Sequence, residues 1–289
     1  MSLDALLDRA RGSRARIVLA GVDGGFAEAT AGRRSTPALP VSEVIGSGGT
    51  RPEHHPRLGA VAELLRTRKP NQVRDAIHAL DLAADPVRLA AGLVAIGDAD
   101  GLVAGPGISA EALVEASAWT LGPPEDGTVR ALHWLLLPDG SLFGMADCAL
   151  AGELGPGERA ALAVQAARAH ARVDDRAARV AFLAGPPGRD DGGALEAAVA
   201  AFAERLPQTP VVADRRVRFR DRANVLIFPG GAAGHLALRT ARDLAGALLL
   251  GPLLLGPPGV IMGVTDDAND EEMTGTVALA ARFADRAVT

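Results

Sequence analysis

The sequence predicts an α/β protein, and three observations carry that expectation. Val225 to Phe228 is a short apolar run with a β-branched start, cut off by Pro229-Gly230-Gly231, which suits a buried parallel strand better than a helix. From His235 to Leu250 apolar residues recur at helical spacing, and Gly251-Pro252 reads as the stop, because Pro252 can neither donate a backbone hydrogen bond nor fit an interior turn. Strand, glycine-rich turn and helix together form the unit that builds α/β sheets and places ligands at strand carboxyl ends.

The remaining elements follow in order. Leu3 to Ala10 reads as an amphipathic helix, and Ala15 to Ala20 as a first buried strand running into the glycine turn Gly21 to Gly25. Neither this turn nor Gly46-Ser47-Gly48-Gly49 fits GxGxxG, so both read as turn chemistry. The stretch from Phe26 to Leu58 is rich in Pro, Gly, Ser and Arg and gives no regular pattern. Helices are expected at Leu65 to Lys69 and Asp85 to Ala95, then a strand at Gly101 to Ala104 and a helix at Ser109 to Leu121. Pro123, Pro124 and Asp126-Gly127 mark a lobe boundary. Ala131 to Leu137 and Leu142 to Ala146 flank Pro138-Asp139-Gly140 as a hairpin. Gly157 to Arg172 reads as a long helix, Val180 to Leu183 as a buried strand and Gly192 to Leu206 as another helix. Ala245 to Val264 is apolar enough to raise a membrane span, but its Gly-Pro interruptions favour a buried helix, turn and strand.

Composition narrows the class. At 289 residues the chain fits one large α/β domain or two lobes. A hydrophobic content of 48% with net charge −5 describes an acidic globule with no electrostatic case for nucleic acid or an anionic membrane. One cysteine, Cys148, excludes an intrachain disulfide and a cysteine zinc site, and a reducing cytoplasm is its natural setting. The apolar segment of the first twenty residues is broken by charges, unlike a signal peptide. Six histidines show no H-E-x-x-H spacing, and no serine stands in G-x-S-x-G. The alternation Arg215, Arg216, Arg218, Arg220 reads as a solvated strand edge that could also meet phosphates.

Several stretches resemble the phosphate acetyl/butyryl transferases (phosphotransacetylases). Arg222 to Pro229 (RANVLIFP) matches the family's G-R-A-N-V-L-I-F-P strand, Gly251 to Gly256 its G-P-I-L-x-G turn, and Asp270 to Ala281 its terminal helix. Gly97 to Gly105 (GDADGLVAG) is similar to G-E-A-D-G-L-V-S-G, and Met145 to Ala149 to F-A-D-C-A. The resemblance runs from about Leu58 to the end. It implies a three-layer αβα fold, like that of isocitrate and isopropylmalate dehydrogenases, with a cleft between two lobes: residues 1–125 with 253–289, and an inserted 126–252. It also implies a homodimer that uses acyl-CoA as substrate, with no metal and no permanently bound cofactor.

The resemblance also implies a phosphate pocket, and here the chain departs from it. Arg66, in Leu65-Arg66-x-x-Lys69, matches an active-site arginine, although Pro70 replaces the following glycine. A second family arginine falls on Val114. Counted without gaps, the Ser-Arg-Gly motif falls on Thr265, Asp266 and Asp267, and the catalytic aspartate on Glu272. The family's hydroxyl-rich phosphate loop is replaced by Ala184 to Gly188. The expectation is an acyltransferase with Glu272 and Arg66 as catalytic residues, in which two lost arginines, one of them replaced by an aspartate, make phosphate a poor acceptor. Thr265, Asp266, Asn224, His235 and Gly105 are the expected substrate-binding positions, the acceptor being unassigned. Two alternatives stand beside it. One is an inactive relative that binds acyl-CoA or a partner protein, and the other a thioester hydrolase in which Glu272 activates water. The acidic run Asp266, Asp267, Asp270, Glu271 suits a solvated helix N-terminus favoured by its dipole, and its functional reading is that it attracts a cation or an amine acceptor.

Overall fold

The computed structural model describes residues 1–22, 39–124, 128–150, 152–184, 193–214 and 223–285. The glycines at 24 and 25, the 126–127 turn, the loop at 185–188 and the basic alternation at 215–220 lie outside the described residues. In chain order come α1 (Leu3–Arg11), β1 (Ile17–Ala20), β2 (Val41–Ile45), a 3-10 turn (Pro52–His54), α2 (Leu58–Arg68), α3 (Ala76–Ala83) and α4 (Pro86–Ile96). β3 (Gly101–Ala104), α5 (Ala110–Thr120), β4 (Arg130–Leu136), β5 (Leu142–Ala146), α6 (Pro156–Val173), β6 (Val180–Leu183) and α7 (Ala194–Arg205) follow. The chain continues with β7 (Val211–Asp214), β8 (Val225–Ile227), α8 (Gly231–Ala245), β9 (Leu248–Leu255), β10 (Val260–Gly263) and α9 (Asp270–Ala284).

These elements make a three-layer α/β fold whose chain divides into two compact units. One unit takes Ser2–Val129 and Leu250–Thr289, the other Met1 with Arg130–Leu249. In the first, strands run in the order β2, β1, β3, β10, each parallel to its neighbour, and β9 joins antiparallel through Leu253 opposite Met262. β1 and β3 are buried at every position, so both faces of this sheet are covered, which is why their sequences are unbroken apolar runs without alternation. The helices start where side chains satisfy the free N–H groups: Asp85 caps α4, Ser109 caps α5 and Asn269 caps α9.

The second unit orders its strands β4, β5, β8, β6, β7. β4 and β5 pair antiparallel as a hairpin, and the rest are parallel. Its core gathers Phe143, Met145, Cys148, Leu226, Phe228 and Leu238. Phe182 meets Phe202 of α7 edge-on at 5.8 Å.

One expectation needs correction. The helix read as running to Leu250 ends at Ala245, where Gly246 adopts φ +58 and closes it with a left-handed cap. Leu248–Leu255 is instead a strand buried along nearly its whole length, and Pro252 lies inside it. In a uniformly apolar run a buried helix and a buried strand give the same pattern, so periodicity could not separate them. β2, α3 and β7 were not anticipated at all. Among the described residues no helix is long and apolar enough to cross a membrane.

Candidate functional site

In the first unit the carboxyl ends of β1, β3 and β10 lie side by side, because the three strands are adjacent and parallel. The loop after β3 is drawn tightly onto the end of β1. Gly105 donates its N–H to Ala20 O at 2.9 Å, and a Cβ at Gly105 would lie 2.7 Å from Val22 Cγ1 and 2.9 Å from Gly21 O. The close approach that the glycine permits is therefore made by the neighbouring chain. Two residues on, Gly107 sits at φ +87, a conformation that favours glycine, and its N–H donates to Asp266 Oδ1 at 2.9 Å. Asp266 thus ties the β10 turn to the β3 loop.

Thr265, between β10 and that tie, is partly buried, and its Oγ1 is shielded from solvent with no hydrogen-bond partner among the described residues. The turn closes with Ala268 N–H donating to Thr265 O at 3.1 Å and then enters α9. There Asn269 and Glu272 form a capping box: Glu272 N–H donates to Asn269 Oδ1 at 2.9 Å, and Asn269 N–H donates to Glu272 Oε2 at 3.0 Å. Glu272 is 1% exposed. Its carboxylate is held rigidly by a local bond, so it has both a structural duty and a fixed position.

Arg66 stands apart from this turn in its bonding. It is exposed in the last turn of α2 and pairs with Glu63 one turn back at 2.7 Å. On the same carboxyl side, β2 runs into Gly46, Ser47 and the 3-10 turn, and Pro86 opens α4. Between them lies a cleft of about 590 Å³ lined by Arg51, Glu53 and His54 together with Pro52, Ala84 and Pro86. Nothing in the sequence pattern flagged it, since Arg51 falls in the irregular stretch before α2.

The two expected positions in the second unit fall in different settings. Asn224 is buried at the amino end of β8; its Oδ1 accepts from Arg179 N–H at 2.7 Å and its Nδ2 donates to Ala177 O at 3.1 Å. The side chain stitches two backbone segments together. His235 is exposed near the start of α8. Its charge adds to the effect of burial on His133, whose pKa is pushed down to about 3, so His133 is a neutral imidazole at physiological pH.

Beside them, Asp147 is fully buried. Its Oδ1 accepts from Ala149 and Leu150 N–H groups, and burial pushes its carboxyl above the usual range. Gly234 of α8 presses on this turn so closely that a Cβ there would meet Asp147 O at 2.2 Å. Burial likewise pushes the Cys148 thiol well up, so it packs as a core group. Among the described residues no group of three or more His, Cys, Asp or Glu is arranged to hold a metal ion.

The family described as Phosphate acetyl/butaryl transferase matches the chain over residues 42–204. A phosphate acetyltransferase from Paracoccus denitrificans is 29% identical over 240 residues, covering 74% of this chain and 76% of that protein. One from Corynebacterium glutamicum is 28% identical over 206 residues, covering 64% of this chain and 62% of its own length. Among solved structures, the EutD phosphotransacetylase from Staphylococcus aureus superposes with a TM-score of 0.80 at 20% identity, covering 98% of both chains. A phosphotransacetylase from Streptococcus pyogenes gives 0.81 at 18% identity, covering 98% of this chain and 99% of that one.

Proposed function

The chain belongs to the phosphate acetyl/butyryl transferase family, and from that premise we propose that it transfers an acyl group from a coenzyme A thioester to an acceptor other than inorganic phosphate. The observation carrying this reading is Asp266. Where the family resemblance calls for an arginine, the end of β10 presents a carboxylate, and that carboxylate is fastened to Gly107 N–H. An anion held there repels phosphate, whereas an amine or alcohol acceptor meets no such penalty.

In this reading Glu272 accepts the proton from the acceptor's N–H or O–H as that atom attacks the thioester carbonyl. The carbon–sulfur bond then breaks, and the thiolate recovers the proton from Glu272. Thr265 Oγ1, which has no partner among the described residues, donates to the carbonyl oxygen as negative charge develops on it. Arg66 holds an anionic group of the donor, which requires it to leave Glu63, a surface pair worth under about 1 kcal/mol. A homodimer fits the apolar surface of α8, where Leu236 and Leu244 are 68% and 84% exposed. The buried, lone Cys148 suits a reducing cytoplasm.

One observation favours a second reading. Glu272 is already engaged in its capping box and Arg66 in an ion pair, as expected of a relative that binds acyl-CoA without turnover. Incubating purified protein with acetyl-CoA and an amine acceptor separates the two. Acyl transfer that Glu272→Gln abolishes supports the transferase, and coenzyme A binding with no transfer at all sinks it.

A further inference from the structure

The cleft at the carboxyl end of β2 carries chemistry that the Thr265–Glu272 turn does not. Its rim is fixed by the backbone: Gly46 N–H donates to Thr50 O at 3.0 Å, Thr50 N–H to Val44 O at 2.8 Å, and Gly48 N–H to Val22 O at 3.3 Å. Pro52, Ala84 and Pro86 give it apolar lining, and Ser47, Arg51, Glu53 and His54 give it polar lining. At about 590 Å³ the cleft has the size of a small-molecule site. A guanidinium, an imidazole and apolar side chains lining one cleft suit an anionic group attached to a heterocycle.

The position of the cleft adds the decisive constraint. It opens on the same strand edge as Thr265, and a chain of contacts links the two: Gly46 lies against Gly21, Gly21 against Ile108, and Gly107 bonds Asp266. The strand order β2, β1, β3, β10 puts three strand spacings between them, roughly 14 Å at about 4.8 Å per spacing. We infer that the Arg51 cleft binds the phosphorylated nucleotide end of the coenzyme A thioester, so that its pantetheine arm runs along the strand ends and delivers the thioester to Thr265. This rests on the acyl-CoA reading above and assigns residues to it. Arg51 supplies the charge, with His54 beside it in the lining, and Glu53 opposes it.

Titration calorimetry tests this on the full chain with two probes, coenzyme A and pantetheine, which lacks the nucleotide and its phosphates. Wild type is expected to bind coenzyme A at least tenfold more tightly than pantetheine. Arg51→Glu removes most of that difference while leaving pantetheine binding in place. Glu53→Gln tightens coenzyme A binding, and Arg205→Glu, a control at the exposed end of α7, changes nothing. The inference is overturned if coenzyme A and pantetheine bind alike, if Arg51→Glu binds coenzyme A as wild type does, or if Arg205→Glu weakens it equally. Binding of neither probe to wild type rejects the acyl-CoA reading itself, and the inference with it.

Discussion

The most direct perturbation of the proposed acceptor site is at Asp266, and two substitutions separate its charge from its structural bond. Asp266→Asn keeps an oxygen to accept from Gly107 N–H and removes one negative charge. Asp266→Arg reverses the charge and loses the acceptor. Two unit charges 4 Å apart interact by about 1 kcal/mol in water and about 4 kcal/mol at intermediate dielectric, and the exposure of Asp266 places it near the lower figure. One kcal/mol is about a fivefold change, so Asn is expected to tighten the binding of inorganic phosphate about fivefold and Arg by roughly 30-fold. The structural cost runs the other way. Losing a hydrogen bond to a charged acceptor costs about 1.5 kcal/mol, which for a chain of this length lowers Tm by about 2–3 °C in the Arg variant and little in Asn. The assay is titration calorimetry with inorganic phosphate, with thermal melts on the same samples. If Asp266→Asn melts like wild type yet binds phosphate no more tightly, the electrostatic reasoning is wrong.

Three further outcomes follow from the geometry. Glu272→Gln preserves an oxygen for Asn269 N–H, so it should lower kcat by about 100-fold or more with a Tm near wild type, while Glu272→Ala should also destabilise by about 1 kcal/mol through the lost cap. Both are read by steady-state kinetics beside calorimetry. His133, with a folded pKa of about 3, binds a proton more readily in the unfolded chain. Its contribution to stability is therefore complete above pH 6.5 and is lost progressively as pH falls from 6.5 toward 3. Denaturant melts of His133→Gln should lack that part of the acid destabilisation. Leu244→Glu puts a charge into the apolar surface of α8, and light scattering should report a shift from dimer toward monomer with the fold intact by circular dichroism.

The parts of the fold legible in the sequence are those where local chemistry and burial agree. Gly101–Ala104, Leu142–Ala146 and Val180–Leu183 are fully buried apolar runs bounded by turn residues, and they form strands at those very residues. Asp85 before Pro86 and Ser109 before Ala110 announced their helices because each side chain accepts a first-turn N–H. β9 was not legible, since LLLGPLLL has no polar residue to set a period. β2 was missed because it is a half-buried edge strand inside a Pro- and Gly-rich stretch.

The site divides in the same way. Ungapped counting brings Thr265, Asp266 and Glu272 to one stretch of chain, and the capping box follows from Asn269 and Glu272 standing three apart. The bond from Asp266 to Gly107 joins residues 159 positions apart, and the cleft around Arg51 draws on two separate loops. No local pattern encodes either. Asn224 shows the converse: its place in a family motif pointed to substrate, and its amide is engaged by Arg179 and Ala177 at the amino end of β8.

Thiol release from acetyl-, propionyl- and butyryl-CoA, measured with phosphate, with an amine acceptor and with neither, decides whether the protein is an acyl-CoA transferase that does not favour phosphate. Release is expected to depend on the amine and to be indifferent to phosphate. Release that rises with phosphate and saturates, with Asp266 intact, contradicts it.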